Sequence, residues 1–570
     1  MLPHSPFRLL VCLLILLMGT RAFAQLDPWQ QGVEMGYQAL QEKRYEDAEQ
    51  WFRNALGEVE MLPPEDGRLN QALVGLETLF RAWSPAKGET CFRDLLSRWE
   101  KENPDDPRVA SVLIALSALL HREPIDAGRY ARIVPLYQRA QRIREAAYGE
   151  DAPCLVETLE RLAWYAAQTG RDEARQDYTR AIEIKLTAGE RDTELASLYY
   201  ALAGVHWDAG RHADAAQHWQ HALEIYNAVD PESGQTASTL NRLAWACERL
   251  GDYPRMAALW ERAAAIREKL TPTGWELLQV LGELANARRL LGNLTDAEQT
   301  CLRDLAIRRQ AHPGTGDPVQ VVLADIYLCQ GRINEARALY RGIADPFGLR
   351  VHVAPAGLRI LACLGLGQCA LAEDDHETAM PWLIRAQELL ENTLGADDDE
   401  TAIALHLARH ENSAAADVCV SLLDADARRY PANHPRIADH LALLAQAYAG
   451  MGEGEKAKES IVKALGIWDK TFGPEHPTLI DRLLSAAAIY QICGMKEETV
   501  TCLARAGEIA EKTGSIDGLL ALARYYRRVG DGTQVRRYCE HALLQAELQY
   551  AADDPRITSV RRQCDALQAE

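Results

Sequence analysis

One pattern recurs along almost the whole chain, about every forty residues, and it combines a turn with small and bulky residues at fixed distances. Glycine holds most of the turn positions, because it reaches the backbone conformation that ends a helix with little strain. The turn positions are Lys43, Ala86, Gly128, Gly170, Gly210, Gly251, Gly292, Gly331, Asp374, His410, Gly452, Gly494 and Gly530. Such a period predicts a stack of helix pairs.

Three positions after each turn complete the pattern. Five residues on, a small side chain stands at Ala48, Ala215, Ala297, Ala336, Ala379, Ala415 and Ala457. Nine residues on, a bulky or apolar side chain stands at Phe52, Leu95, Tyr137, Trp219, Trp260, Cys301, Tyr340, Leu383, Cys419, Ile461, Leu503 and Cys539. Twelve residues on, a small side chain returns at Ala55, Ala140, Ala222, Ala263, Ala386, Ala464, Ala506 and Ala542. These offsets lie on one helical face, so each second helix carries a large side chain between small ones.

The repeat after Gly331 shows what this spacing does. Ala336 and Tyr340 are four residues apart, so a small and a large side chain lie next to each other on one face of the helix. One helix pair cannot bury its apolar surface on both sides, so each pair needs neighbours. The sequence therefore predicts that successive helix pairs stack on one another.

Segments 43–56, 210–223 and 292–302 resemble the tetratricopeptide repeat, and the resemblance extends over about residues 29–555. The longer period and the linker resemble the repeats of kinesin light chains. An aromatic residue and a proline stand in this linker as Tyr148 with Pro153, Tyr430 with Pro435, Phe472 with Pro477, and Tyr550 with Pro555. The resemblance implies an all-α fold, a right-handed superhelical solenoid of about thirteen helix pairs, whose first helices line a concave groove. The predicted solenoid spans 25–555, and 556–570 is a C-terminal capping helix.

The first residues predict export. Arg8, the apolar run 9–19 and the small-residue site 22–24 have the layout of a secretory signal peptide over 1–24, cleaved after Ala24. The apolar run is too short to span a membrane comfortably. We therefore expect no integral membrane segment after cleavage, and a periplasmic or secreted protein.

Composition limits the partners. Asp and Glu number 82 against 62 Lys and Arg, which gives a net charge of −20. A field of that sign repels nucleic acid and argues against it as the main ligand. Hydrophobic residues make up 48%, which is enough for a continuous core.

Thirteen cysteines in an exported chain would allow disulfides. Cys301, Cys419 and Cys539, however, stand at the bulky position of their repeats, and a buried cysteine behaves as a small hydrophobe. We expect most to be free core thiols. A pair such as Cys301 with Cys329 remains an alternative.

No phosphate-binding loop, CxxC, HExxH or GxSxG motif is present, so we expect no enzyme and no cofactor. The one metal-like group is His212, His218 and His221, with His206 on the preceding helix. A metal site needs three or four convergent ligands, so we interpret these histidines as surface and packing residues.

Segments 158–170 and 239–251 are near copies two repeats apart, and the repeat between them carries Ala201 and Gly204 at the matching positions. In the resembled family these positions face the groove, which would leave a space between aromatic walls. The predicted ligand-binding residues are Arg161, Trp164, Gly204, Trp207, Arg242 and Trp245. Tryptophan and arginine often carry binding energy. The alternative is that the tryptophans are core residues.

These observations favour a non-catalytic scaffold that binds a protein or peptide in its groove. Two alternatives remain: an assembly factor for an envelope or secretion complex, or a periplasmic sensor of a small molecule or peptide. Neither the partner nor the oligomeric state follows from the sequence.

Overall fold

The computed structural model describes residues 27–569 except 61, 63–66, 122–126, 170–171, 313–317, 345–354, 374, 395–405 and 407–410. Regular structure in the described part of the chain is helical, without a β-strand, so the prediction of an all-α fold is confirmed. The predicted signal peptide lies outside the described residues. No described helix is long and apolar enough to cross a membrane.

The chain divides into two compact units, Met1–Ile225 and Tyr226–Glu570. Unit 1 holds helices that pair in sequence order. They are α1 (Pro28–Gln41), α2 (Tyr45–Val59), α3 (Arg68–Ala82), α4 (Pro85–Glu102), α5 (Pro107–Leu120), α6 (Ala127–Tyr148), a 3₁₀ turn (Pro153–Leu155), α7 (Val156–Gln168), α8 (Glu173–Thr187) and α9 (Thr193–Asp208). The boundary between the units falls inside α10 (His212–Val229).

Unit 2 continues the same alternation of helices. They are α11 (Gly234–Leu250), α12 (Tyr253–Leu270), α13 (Trp275–Leu290), α14 (Leu294–Ala311), α15 (Pro318–Cys329), α16 (Ile333–Ala344), α17 (Ala356–Leu371), α18 (His376–Leu394), α19 (Asn412–Arg429), α20 (Pro435–Gly450), α21 (Gly454–Phe472), α22 (Leu479–Ile492), α23 (Lys496–Thr513), α24 (Ile516–Arg528), α25 (Gly532–Gln549) and α26 (Pro555–Gln568). The last helix overlaps the segment 556–570, whose capping role stays a prediction.

The turn positions end helices as the sequence predicts. Positive φ angles occur at Lys43, Gly210, Gly251, Gly292, Gly331, Gly452, Gly494 and Gly530. At Gly331 (φ 71°) the chain reverses, and the Arg332 N–H donates to the Tyr327 carbonyl oxygen at 2.8 Å. This bond uses a carbonyl group that the helix end would otherwise leave without a partner.

The small positions lie at the centre of the packing. The alanines five and twelve residues after the turns have no exposed surface. Phe52 illustrates the fit of a bulky residue, because its ring lies between Gly36 of its own repeat and Gly75 of the next. A Cβ atom added at Gly36 would lie 2.6 Å from this ring, and one at Gly75 would lie 2.5 Å from it. Glycine on the first helices therefore provides the space that the bulky residue of the second helix needs.

The predicted turn at Ala86 is wrong. Ala86 is the second residue of α4, because Pro85 starts that helix one residue earlier. The turn lies at Trp83, and Gly88 and Phe92 then take the small and bulky positions, both buried.

Two further positions differ from the expected register. Gly128 lies in the first turn of α6, although Tyr137 and Ala140 are buried as expected. In α23 the buried residue is Cys502, and the predicted Leu503 is half-buried. The predicted turns at Gly170, Asp374 and His410 lie outside the described residues.

The described cysteines are free thiols, including Cys301 and Cys329. Nine are buried, Cys493 is intermediate, and Cys154 and Cys329 are exposed. The expectation of core thiols is therefore confirmed for most of them.

Within unit 2, repeats far apart in sequence contact each other. The Thr478 hydroxyl donates to the Leu291 carbonyl oxygen at 2.6 Å, and Asp517 accepts hydrogen bonds from the N–H (3.0 Å) and hydroxyl (2.7 Å) of Thr295. Thr295 is in the first turn of α14, so the carboxylate lies where the helix dipole favours negative charge.

Candidate binding surfaces

Two of the predicted ligand-binding residues of unit 1 lie on α7. Trp164 is half-buried, and its ring centroid is 5.2 Å from that of His121 and 5.0 Å from that of Tyr165. Arg161, one turn earlier on the helix, is exposed. Trp164 thus packs on the core and still presents part of its surface to solvent beside a guanidinium group.

The next first helix, α9, provides space. A Cβ atom added at Gly204 would have no atom within 4 Å. Trp207 is half-buried, with ring centroids 4.7 Å from His212 and 5.7 Å from Trp219. The helix surface at Gly204 is therefore open, and an aromatic side chain stands one turn away.

In unit 2 the arginine and the tryptophan contact each other. The guanidinium carbon of Arg242 lies 5.4 Å from the ring centroid of Trp245, within cation–π range. Trp245 is half-buried, and it makes an edge-to-face contact with Trp260 at 5.7 Å. Glu283, on the next first helix, accepts a hydrogen bond from Trp245.

Each unit has its own set of these residues, and we call each set the first-helix face of its unit. They are Arg161, Trp164, Gly204 and Trp207 in unit 1, and Arg242, Trp245, Glu248 and Glu283 in unit 2. The tryptophans among them are neither fully buried nor fully exposed, whereas Trp99, Trp219, Trp260 and Trp468 are core residues. The sequence left open whether these tryptophans face the groove or belong to the core, and their packing has features of both. Their role in binding stays a prediction.

Carboxylates accompany the arginines on both units. Burial raises the pKa of Glu77 and of Glu160, and the positive charge of Arg161 opposes both shifts. Burial also raises the pKa of Glu248 and of Glu283, and the Glu248 charge raises that of Glu283 further. The surface around the tryptophans therefore carries both signs of charge.

The histidines make ring contacts. His212 lies against Trp207, while the ring centroid of His218 is 5.0 Å from that of His206. Burial lowers the pKa of His218 to about 4, so this ring is neutral at pH 7. The Nδ1 atom of His206 lies 3.2 Å from the Asp214 carboxylate, which accepts a hydrogen bond when Nδ1 carries the proton.

One carboxylate cluster in the described residues has metal-ligand spacing, formed by Glu190, Asp192 and Glu194. The Lys185 ammonium forms ion pairs with all three, at 2.7 Å from Glu190 and 3.0 Å from Asp192. A side-chain cation therefore already occupies the position that a metal ion would take.

Sequence reasoning missed a cavity of about 740 Å³ in unit 1. It lies where α3 and α5 begin and α6 ends, and it is lined by Asn70, Pro107, Ser111, Arg144, Tyr148 and the linker 149–154. Arg144 is 4% exposed, and its Nη1 donates to the Cys154 carbonyl oxygen at 2.6 Å and to the Thr158 hydroxyl at 3.0 Å. The sequence identified Tyr148 and Pro153 as residues of a linker between helices, but it did not indicate a cavity there.

Comparison with known families finds tetratricopeptide repeats at residues 194–269 and 437–478. Both matches are to repeat models, and neither indicates a catalytic family. No match was found among curated protein sequences.

Several solved structures are similar to the chain in fold. BtubC (BKLC) from P. vanneervenii is 20% identical with a TM-score of 0.29, over 48% of this chain and 92% of that one. Kinesin light chain TPR-like repeats from Podosopora anserina are 20% identical with a TM-score of 0.30, over 36% and 98%. The apo form of RapI is 12% identical with a TM-score of 0.42, over 64% and 99%.

Proposed function

We propose that this chain is a non-catalytic scaffold that binds a protein or peptide partner on the first-helix face of each unit. The observation that carries the proposal is the half-buried state of Trp164, Trp207 and Trp245. Each ring is held by aromatic neighbours and still has surface to offer. Aromatic groups fixed in this way contribute contact area at little cost in conformational entropy.

The mixed charge of the face defines the class of partner. Arg161 and Arg242 are exposed and can donate to carboxylates of a ligand. Glu248 and Glu283 are half-buried with raised pKa values, so hydrogen-bond donors from a ligand would stabilise their ionised forms. An extended segment with apolar and acidic side chains, whose backbone N–H groups also reach these carboxylates, fits this surface.

A substitution at Gly204 tests the proposed binding surface without weakening the fold. Leucine has a higher helix propensity than glycine, and the space above Gly204 is open, so Gly204→Leu should fold at least as well as the wild type. The added side chain would occupy the surface that the ligand needs. The matched control is Gly466→Leu, at an exposed glycine of a second helix that also has no neighbour within 4 Å.

The experiment selects peptides from a displayed random library on the purified chain, and then measures their affinity by titration calorimetry. We expect Gly204→Leu to weaken binding about tenfold or more, and Gly466→Leu to leave it unchanged. Equal affinities for both variants and the wild type would show that the ligand binds elsewhere.

We also propose that the chain is exported, on the basis of its first 24 residues. Expression of the full chain in a Gram-negative host, followed by fractionation and N-terminal sequencing, should give Gln25 as the first residue of the periplasmic form. An uncleaved chain in the cytoplasmic fraction would contradict export.

A further inference from the structure

The cavity around Arg144 combines a buried charge with unused hydrogen-bonding groups. Only Nη1 of Arg144 is bonded, to Cys154 and Thr158, and among the described residues its Nε and Nη2 have no hydrogen-bond acceptor. Asn70 and Ser111 line the same cavity, and within the described chain their side chains form no hydrogen bond. These donors border one cavity and are open to solvent there, so a ligand that enters the cavity can pair with them.

Helix ends at the cavity favour negative charge. Asn70 is in the first turn of α3, and Pro107 is the first residue of α5. The N-terminal ends of helices carry partial positive charge and backbone N–H groups without intrahelical acceptors. Arg144 lies beside these ends, so the guanidinium and the helix dipoles attract the same anion.

The acidic residues in and near the cavity limit the charge of that anion. Glu150 and Asp151 line the cavity, and Glu157 lies 3.8 Å from Nη1 of Arg144. They would repel a group with two negative charges, such as a phosphate at neutral pH, more than a carboxylate. A single carboxylate also matches the planar fork of Arg144.

The remaining walls are apolar. Pro107, Tyr148 and Pro153 present rings to the cavity, whose volume of about 740 Å³ is in the range of small-molecule sites. A second cavity of about 270 Å³ lies on the other side of Arg144, but there Lys185 is already neutralised by acidic residues. The larger cavity is therefore the one with capacity for an anion.

We infer that this cavity binds a monocarboxylate with an adjacent apolar group, the carboxylate on Arg144 and the apolar group against Tyr148 and the two prolines. The site is separate from the first-helix face, so it does not depend on the proposed function. The same chemistry is found in free organic acids and in the C-terminal residue of a polypeptide.

Cys154 gives a direct readout, because it is exposed and lines the cavity, whereas Cys329 is exposed elsewhere and serves as an internal control. We would measure the alkylation rates of both thiols by mass spectrometry, in the full chain, with N-acetylphenylalanine or with its amide. The acid should slow alkylation of Cys154 with a dissociation constant of about 1 mM or below. The amide should need at least ten times the concentration, and Cys329 should react equally in all samples.

Three variants test the assignment of the residues. Asn70→Asp puts a negative charge opposite the ligand at the start of a helix, where an acidic residue favours folding, and it should abolish protection by the acid. Arg144→Gln should do the same, while Arg142→Gln, two residues away and exposed, should leave protection unchanged.

The two sources of ligand are separated by adding a peptide that ends in phenylalanine. Protection by the peptide at concentrations at least ten times lower than the single residue indicates a polypeptide C-terminus, and similar concentrations indicate a free acid. The inference is overturned if no acid protects Cys154, if acid and amide protect equally, or if Asn70→Asp and Arg144→Gln behave like the wild type.

Discussion

Replacing Gly75 by alanine tests how the repeats pack. The ring of Phe52 lies 2.5 Å from the position that the new Cβ would take, closer than side-chain atoms approach each other. The ring cannot move away, because on its other side Gly36 leaves a similar space that the ring already fills. Gly75→Ala therefore forces helices α2 and α3 apart or displaces a core ring.

Two opposing effects set the magnitude. Alanine in a helix interior is more favourable than glycine by about 1 kcal/mol. Overpacking a core usually costs about 1–3 kcal/mol. Gly75→Ala should therefore leave the local stability unchanged or lower it by up to about 2 kcal/mol.

The control isolates the packing effect. Gly57 is an exposed glycine of α2 whose Cβ would have no atom within 4 Å, so Gly57→Ala should stabilise by about 0.5–1 kcal/mol. The two variants share the propensity gain, so the difference between them, about 1–3 kcal/mol, measures the contact with Phe52. The cost of Gly75→Ala should be smaller when Phe52 is already replaced by leucine. The stability difference between Phe52→Leu and the double variant should therefore be smaller than that between the wild type and Gly75→Ala.

Hydrogen exchange measured by mass spectrometry on peptides from α2 and α3 is the suitable assay, because repeat arrays need not unfold in one step. We expect slower exchange in Gly57→Ala, and exchange in Gly75→Ala that is equal to or faster than that of the wild type. If both variants exchange more slowly than the wild type, Phe52 does not fill the space at Gly75.

Three other predictions follow from burial. Ala336→Trp should overpack the core and destabilise α16 and its neighbours by about 1–3 kcal/mol or more in denaturant unfolding. The control Glu335→Gln should change stability by about 0.5 kcal/mol or less. Equal effects of the two changes would contradict the helical register. A thiol reagent should modify Cys154 readily in the native protein, and Cys329 more slowly because desolvation raises the pKa of its thiol. The buried cysteines should react only after denaturation without reductant, and few free thiols in denaturant would indicate disulfides instead. Burial raises the pKa of Asp177 from 3.8 to about 6. The carboxyl group therefore binds its proton more tightly in the folded protein than in the unfolded chain. Its contribution to stability is present below pH 3.8 and is lost as the pH rises through 6. Asp177→Asn should therefore be more stable than the wild type at pH 7 by about 1–2 kcal/mol and similar to it at pH 4, and a gain that does not change with pH would refute this explanation.

The sequence predicted the fold well because the same spacing is repeated many times. Ala48 and Phe52 take the predicted buried positions, and Lys43 takes a left-handed turn that glycine usually holds. The turn at Ala86 was misplaced because Pro85 can start a helix as readily as it can follow a turn, and the spacing alone does not distinguish these cases.

The functional surfaces were less predictable. The register placed Trp164 and Trp245 on first helices, but their partial burial depends on His121 and Trp260, which other helices bring in. Arg144 could not be found from a motif, because its cavity forms where three helix ends meet, and Asn70 is far from it in sequence.

The most direct test of the central claim is the affinity of a selected peptide for Trp245→Ala, compared with the wild type and with Trp275→Ala. Trp275 is 52% exposed and lies outside the first-helix face, so it controls for the loss of an exposed tryptophan. We predict that Trp245→Ala weakens binding by the folded protein by about 2 kcal/mol or more, and that its thermal stability also falls because the contact with Trp260 is lost. Trp275→Ala should bind like the wild type. Unchanged affinity of folded Trp245→Ala, or an equal loss in both variants, would contradict binding at this face.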